Sequence, residues 1–248
     1  MCRKSDWCLI APGGEAAICA RISEGSIKKA GDAGWLHILG DFKPVRYEEK
    51  PAPKINWNMW MSWASGNLMM HRKEFSELCR DININPIAAL QFFLGYHDGW
   101  LLIPLYNERN KIAGIQKRKG KLKRFVKNSR AGVFLPLPIF DYPGRVLAVT
   151  EGWTDTVIAR LYGFNAIGKF NCLVGDEWVS YYVRELGYRE VIIFSDRDEV
   201  GRTGAEKTKN FLKKMNKVNV KVVVTPEKDL KACYEKGKKL SDLLGNKQ

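Results

Sequence analysis

Apolar residues follow two different rhythms on either side of residue 145. Beyond it, the short continuous runs RVLAVT (145–150), FNAIGKF (164–170), EVIIFS (190–195) and VKVVVT (220–225) alternate with segments of helical character, such as TDTVIARLYG (154–163) and DEWVSYYVREL (176–186). After Gly201 a further helix is expected, with Thr208, Phe211, Leu212 and Met215 on one face. Continuous apolar strands between amphipathic helices predict a parallel sheet covered on both sides. Before residue 145 the rhythm is mixed. HRKEFSELCRDININPIAALQFFLG (71–95) spaces its apolar residues by three and four and predicts helix, whereas WLLIPLYNERNKIAGIQKRKG (100–120) reads as two strands joined at NERN. FVKNSRAGVFLP (125–136) reads as a further strand pair. Trp57, Trp60 and Trp63 recur at intervals of three, which could form a stacking platform but fits a buried helix face better.

The chain therefore divides into a turn-rich module at 1–40, a proline- and charge-rich linker at 41–56, an α+β subdomain at 57–144 and a parallel α/β domain at 145–248. Chemistry in a parallel sheet gathers at the carboxyl ends of its strands. Glu151 directly follows the first of these strands and Asp155 lies one helical turn later, while Asp196 and Asp198 follow the third. If the first and third strands are neighbours, these carboxylates share one edge and repel one another. A hard divalent cation, magnesium or manganese, resolves that repulsion. A single DxD pair could equally be a helix cap, but EGxxD followed by DxDxxG on a later strand favours the metal.

Lys and Arg number 41 against 27 Asp and Glu, a formal charge of +14 that favours a polyanionic partner. Part of the excess is local: from Lys111 to Arg130 there are nine basic residues and no acidic one. Such a run can be a solvated face, yet placed just upstream of an acidic site it suits phosphates. The sequence has neither a membrane-length apolar run nor a cleavable leader, which predicts a cytoplasmic chain.

The acidic pattern EGxxD and DxDxxG (151–155 and 196–201) resembles the Toprim domain shared by primases, topoisomerases and certain nucleases. With GWLLIPLYNERNKIAGIQKRKGKLKRFVKNSRAGVFLP (99–136), the resemblance is to bacterial primases and to the primase half of phage primase-helicases. It implies a DNA primase that makes short RNA primers on single-stranded DNA from ribonucleoside triphosphates. Glu151, Asp155, Asp196 and Asp198 would then be catalytic, and Glu151, Asp196, Asp198 and Asp229 (from the KD that follows the last strand) would hold Mg2+ or Mn2+. Lys117, Arg118, Lys121, Lys123, Arg124, Lys127 and Arg130 would bind nucleic acid and nucleotides. No GxxxxGK[ST] loop occurs, so a replicative helicase would be a separate partner. A Toprim nuclease and a noncatalytic single-strand-binding module are the alternatives. A topoisomerase needs a nucleophilic tyrosine, for which Tyr181 and Tyr182 are poor candidates.

Primases of this kind also imply an N-terminal zinc ribbon. Cys2, Cys8 and Cys19 are spaced unlike the usual opening CxxC, so either a first ligand lies upstream or His37 completes a Cys3His zinc site. The alternative is three buried thiols and an ordinary histidine. Cys79, Cys172 and Cys233 read as packing residues.

Overall fold

The computed structural model describes residues 8–11, 13–19, 21–30, 34–40, 55–137 and 146–245. They fall into two units, 1–52 and 53–248. Cys2 and most of the expected linker lie outside the described residues.

The first unit is a small antiparallel sheet of β1 (Cys8–Ile10), β2 (Ala16–Cys19), β3 (Lys28–Lys29) and β4 (Trp35–Ile38) in the order β1-β2-β4-β3. Cys8 pairs with Cys19 along the backbone and Ala17 with His37, and the pleat sends Ala17, Cys19 and His37 to one face. Ala17, Cys19 and His37 are buried. His37 Nε2 lies 3.0 Å from the Ile22 carbonyl, which can only accept. That contact puts the proton on Nε2 and leaves the Nδ1 lone pair uncommitted.

The second unit opens with α1 (Trp57–Met70), α2 (Arg72–Asp81) and α3 (Pro86–Ala89), the last running into a 3-10 turn at Leu90–Phe92. Asn85 caps α3, accepting from the Ile87 and Ala88 amides, with Pro86 preset for the first helical position. The antiparallel strands β5 (Gly95–His97), β6 (Trp100–Tyr106), β7 (Ile112–Lys119) and β8 (Leu122–Phe125) come next, then the two-residue β9 (Val133–Phe134). The remainder alternates: β10 (Val146–Glu151), α4 (Gly152–Leu161), β11 (Asn165–Lys169), α5 (Asp176–Glu185), β12 (Glu190–Ser195), α6 (Glu199–Asn216), β13 (Asn219–Val224), α7 (Leu230–Glu235) and α8 (Leu240–Leu244).

All nine strands form one mixed sheet, β13-β12-β10-β11-β9-β6-β7-β8, with β5 beside β6. The parallel part, β11, β10, β12 and β13, is joined to the antiparallel part through β9, which pairs antiparallel with both β11 and β6. Two expected blocks are therefore one continuous sheet. One face packs on α2, α3 and α4 through Leu101, Ile103, Leu105, Phe134 and Trp153. The other packs on α1, α5 and α6 through Met61, Leu102, Ile115, Val149, Val183 and Leu212.

Three expectations are corrected. Residues 125–136 are not a strand pair. After β8 the chain runs along β7, stapled by the Ser129 hydroxyl, which accepts from the Ile115 amide at 2.9 Å, and by Arg130 N–H to Ala113 O. Asn128 takes the left-handed turn conformation there, at φ 67°. The tryptophans of α1 form only the edge of its core face: Trp57 and Trp60 are half-buried against the core, but a spacing of three falls short of a 3.6-residue turn, so none of the three is fully enclosed. Met61, Ala64 and Leu68 are buried instead, and Trp63 is 49% exposed. In α6, Thr208 and Leu212 are buried but Met215, in the last turn, is 59% exposed.

Candidate functional site

Strand β10 lies between β11 and β12, with Val149 beside Ile193 and Glu151 beside Lys169. Glu151 and Asp196 thus emerge at the same sheet edge. A sharp turn follows each. Gly152 has φ 80°, a conformation that disfavours a side chain, and α4 starts there. Gly201 sits so close to the DxD loop that an added Cβ would lie 2.9 Å from Asp196 Cβ and 3.1 Å from Asp198 Oδ1.

Asp198 caps α6, its Oδ1 accepting from the Gly201 amide at 2.7 Å, and Asp229 caps α7 through the Ala232 amide at 2.7 Å. Asp155, on α4 and 7% exposed, accepts from the Lys231 amide at 2.8 Å. Each of these three aspartates is fixed through Oδ1. The capping role and a site role are thus compatible.

Crowding shows in the acidities. Burial, then Glu151, Asp229 and Asp198, push the Asp196 carboxyl up to about 7. Burial and Asp229 push Asp155 up to about 7 against the Lys231 hydrogen bond. Glu151 is raised by burial and Asp198, and is pulled back by Lys169 and by Cys172. Among the described residues no group of three His, Cys, Asp or Glu side chains converges tightly enough to enclose a metal ion. The donors offered are nonetheless all carboxylate oxygens that lack enough positive charge, which suits a hard divalent cation.

The basic run is divided by the pleat. Arg118 pairs with Lys123 across β7 and β8, and Leu101, on the α4 side, stands opposite Arg118. Burial lowers both cations while Asp155 raises both, and Glu151 also acts on Lys123. These two basic residues face the carboxylates. Lys117 pairs with Arg124 and lies opposite Leu102, on the α1 side. There its ammonium sits 4.7 Å from the centre of the Trp100 ring. The aromatic series continues from Trp100 to His97 across the hairpin, then to Trp60 at 6.3 Å and Trp63 at 5.1 Å from His97. Lys121, Lys127 and Arg130 are exposed on the turns around this ribbon.

Five further residues belong to the site region. Lys169 ends β11 with its charge buried, and Thr208 and Asp176 bind it. Lys228 acts electrostatically on Asp196. Cys172, half-buried beside Glu151 rather than in the core, lines the same cavity. Cys79 and Cys233 are fully buried, as expected of packing residues. The rule that picked out Glu151, a charged residue closing an apolar strand, also applies to Lys169 in AIGKF.

No family model matches the chain, and no curated protein matches it. Solved structures do. The catalytic domain of DnaG primase bound to single-stranded DNA superposes with a TM-score of 0.59 at 14% identity, over 73% of this chain and 76% of that one. The Escherichia coli primase catalytic core gives 0.56 at 14% identity, over 73% and 75%. The RNA polymerase domain of Mycobacterium tuberculosis primase DnaG gives 0.53 at 17% identity, over 72% and 77%. The chain therefore has the fold of a primase catalytic core. Among the described residues no helix is long and apolar enough to cross a membrane.

Proposed function

We propose that this protein is a DNA primase, a nucleotidyltransferase that builds short RNA primers on single-stranded DNA at a Toprim-type carboxylate site. One observation carries the reading: Glu151, Asp196, Asp198, Asp155 and Asp229 gather at one sheet edge, and Arg118 and Lys123 act on the same carboxylates from the adjoining ribbon. Glu151, Asp196, Asp198 and Asp229 would hold Mg2+ or Mn2+, with Asp155 on α4 bracing the start of α7, which Asp229 caps, through the Lys231 amide. Bound there, the cation would supply electrophilic stabilisation of charge on the attacking and leaving oxygens.

Arg118 and Lys123 anchor phosphates beside that edge: Arg118 is half-buried and held by the Gly120 carbonyl, and such a fixed cation binds a phosphate more strongly than one in water, while Lys123 adds an exposed charge beside it. The aromatic and basic strip from Trp63 to Lys117 supports contact with an unpaired template, because rings stack on any base while lysines meet the backbone. The common face of Cys19 and His37, with Cys8 paired to Cys19 along the backbone, supports a zinc-binding role for the first unit, checked by the zinc content of the purified protein. A replicative helicase acting as a separate chain fits the same role.

The test is incubation with single-stranded DNA, labelled ribonucleoside triphosphates and Mg2+ or Mn2+, with Asp196→Ala as control. Short oligoribonucleotides made by the wild type and absent from the control are expected. Degradation of the template instead would reassign the site to hydrolysis.

A further inference from the structure

A buried cation stands beside the carboxylates and has no part in the function described so far. Lys169 ends β11 directly opposite Glu151 in the parallel pair, so the two side chains leave the same face of adjacent strands, about 5 Å apart at the backbone. It is 3% exposed. Its ammonium donates to the Cys172 carbonyl, Asp176 Oδ1 and Thr208 Oγ1, each at 2.7 Å. Those bonds commit all three ammonium protons, so Lys169 acts on its surroundings through charge rather than by donating to a substrate.

Asp176 does not belong to Lys169 alone. Its second oxygen lies 3.7 Å from Lys207 Nζ, so two lysines share one carboxylate and the group keeps a net positive charge. Glu151, Lys169, Cys172, Thr208 and Asp196 line one cavity of about 20 Å³. Of the charges acting on Glu151, that of Lys169 is second only to Asp198. Burying a lysine is costly, and a neutral side chain would fill this space without that penalty.

We infer that Lys169 is a built-in cation that neutralises the Glu151 end of the carboxylate cluster, so that the site takes a single divalent ion from the Asp196 end rather than two. The inference rests on the metal-site reading above. Lys169 is on this account a positioning residue: it sets how many ions the carboxylates accept and touches none of the reacting atoms.

The test is titration of the full chain with Mn2+, followed by electron paramagnetic resonance and calorimetry, for the wild type, Asp176→Asn and the double variant Lys169→Met/Asp176→Asn. The wild type is expected to bind a single Mn2+. The double variant, which removes the one cation of the group that acts on Glu151 and leaves the group's net charge on the distant Lys207, is expected to gain a second Mn2+ or to bind about tenfold more tightly. Asp176→Asn alone leaves Lys169 less balanced and is expected to weaken Mn2+ binding. A role in packing alone would weaken binding in both variants, or in neither, and either pattern overturns the inference. Two ions in the wild type would overturn it as well. A wild type that binds no Mn2+ refutes the metal site itself, a separate failure that takes the inference with it. If the double variant does not fold, Asp176→Asn decides, and unchanged or tighter binding overturns.

Discussion

Replacing Asp196 with Asn should make the metal-free protein more stable while abolishing primer synthesis. The rise of this carboxyl from 3.8 to about 7 means that the folded state holds its proton more tightly than the unfolded chain. Stability from this group is therefore fully present below pH 4 and is lost as the pH rises towards and through 7. The full difference corresponds to about 4 kcal/mol, and solvent screening of a partly exposed group reduces it to about 1–2 kcal/mol. Asn has nearly the same shape and no charge, so at pH 8 it should raise the melting temperature by about 3–6 °C. The gap should narrow steadily as the pH falls from 7 towards 4. Thermal melts in chelator at several pH values measure it directly. A variant less stable than the wild type at pH 8, or a gap independent of pH, would refute the crowding argument. Adding Mn2+ should then stabilise the wild type and leave the variant nearly unchanged, since only binding to the folded state raises its stability.

Two further outcomes test the surfaces. Arg118→Ala should weaken single-stranded DNA binding and reduce its salt-dependence slope by about one, measured by fluorescence anisotropy across salt concentrations. Trp63→Ala should weaken that binding by about tenfold, consistent with one lost base stack, while the melting temperature stays within about 2 °C because the ring is half exposed.

Where the carboxylates stand in the fold was legible because strand ends in a parallel sheet are a topological fact, and the apolar runs ending at Thr150 and Ser195 located them. The adjacency of β10 and β12 then brings Glu151 to Asp196. The division of the basic run was not legible. Lys117 and Arg118 are neighbours in sequence, and only the register of β7 on β6 and β8 decides which of them meets Asp155 and which meets Trp100. The single sheet was equally hidden, since β9 is two residues long and carries no periodicity of its own. Nor did the spacing of Trp57, Trp60 and Trp63 reveal that a three-residue interval drifts away from the core that Met61, Ala64 and Leu68 define.

The capping roles of Asp198 and Asp229 bear on how such a chain can drift. Asn caps a helix about as well as Asp, so an exchange at either position keeps the Gly201 or Ala232 hydrogen bond while removing a charge. Folding asks for an oxygen at these two places, and the crowding around Asp196 gives it no reason to prefer a charged one. Descendants that lost the chemistry by this route would persist as well-folded proteins with the basic ribbon intact, and a scan for the fold alone would count them as equals of their active relatives.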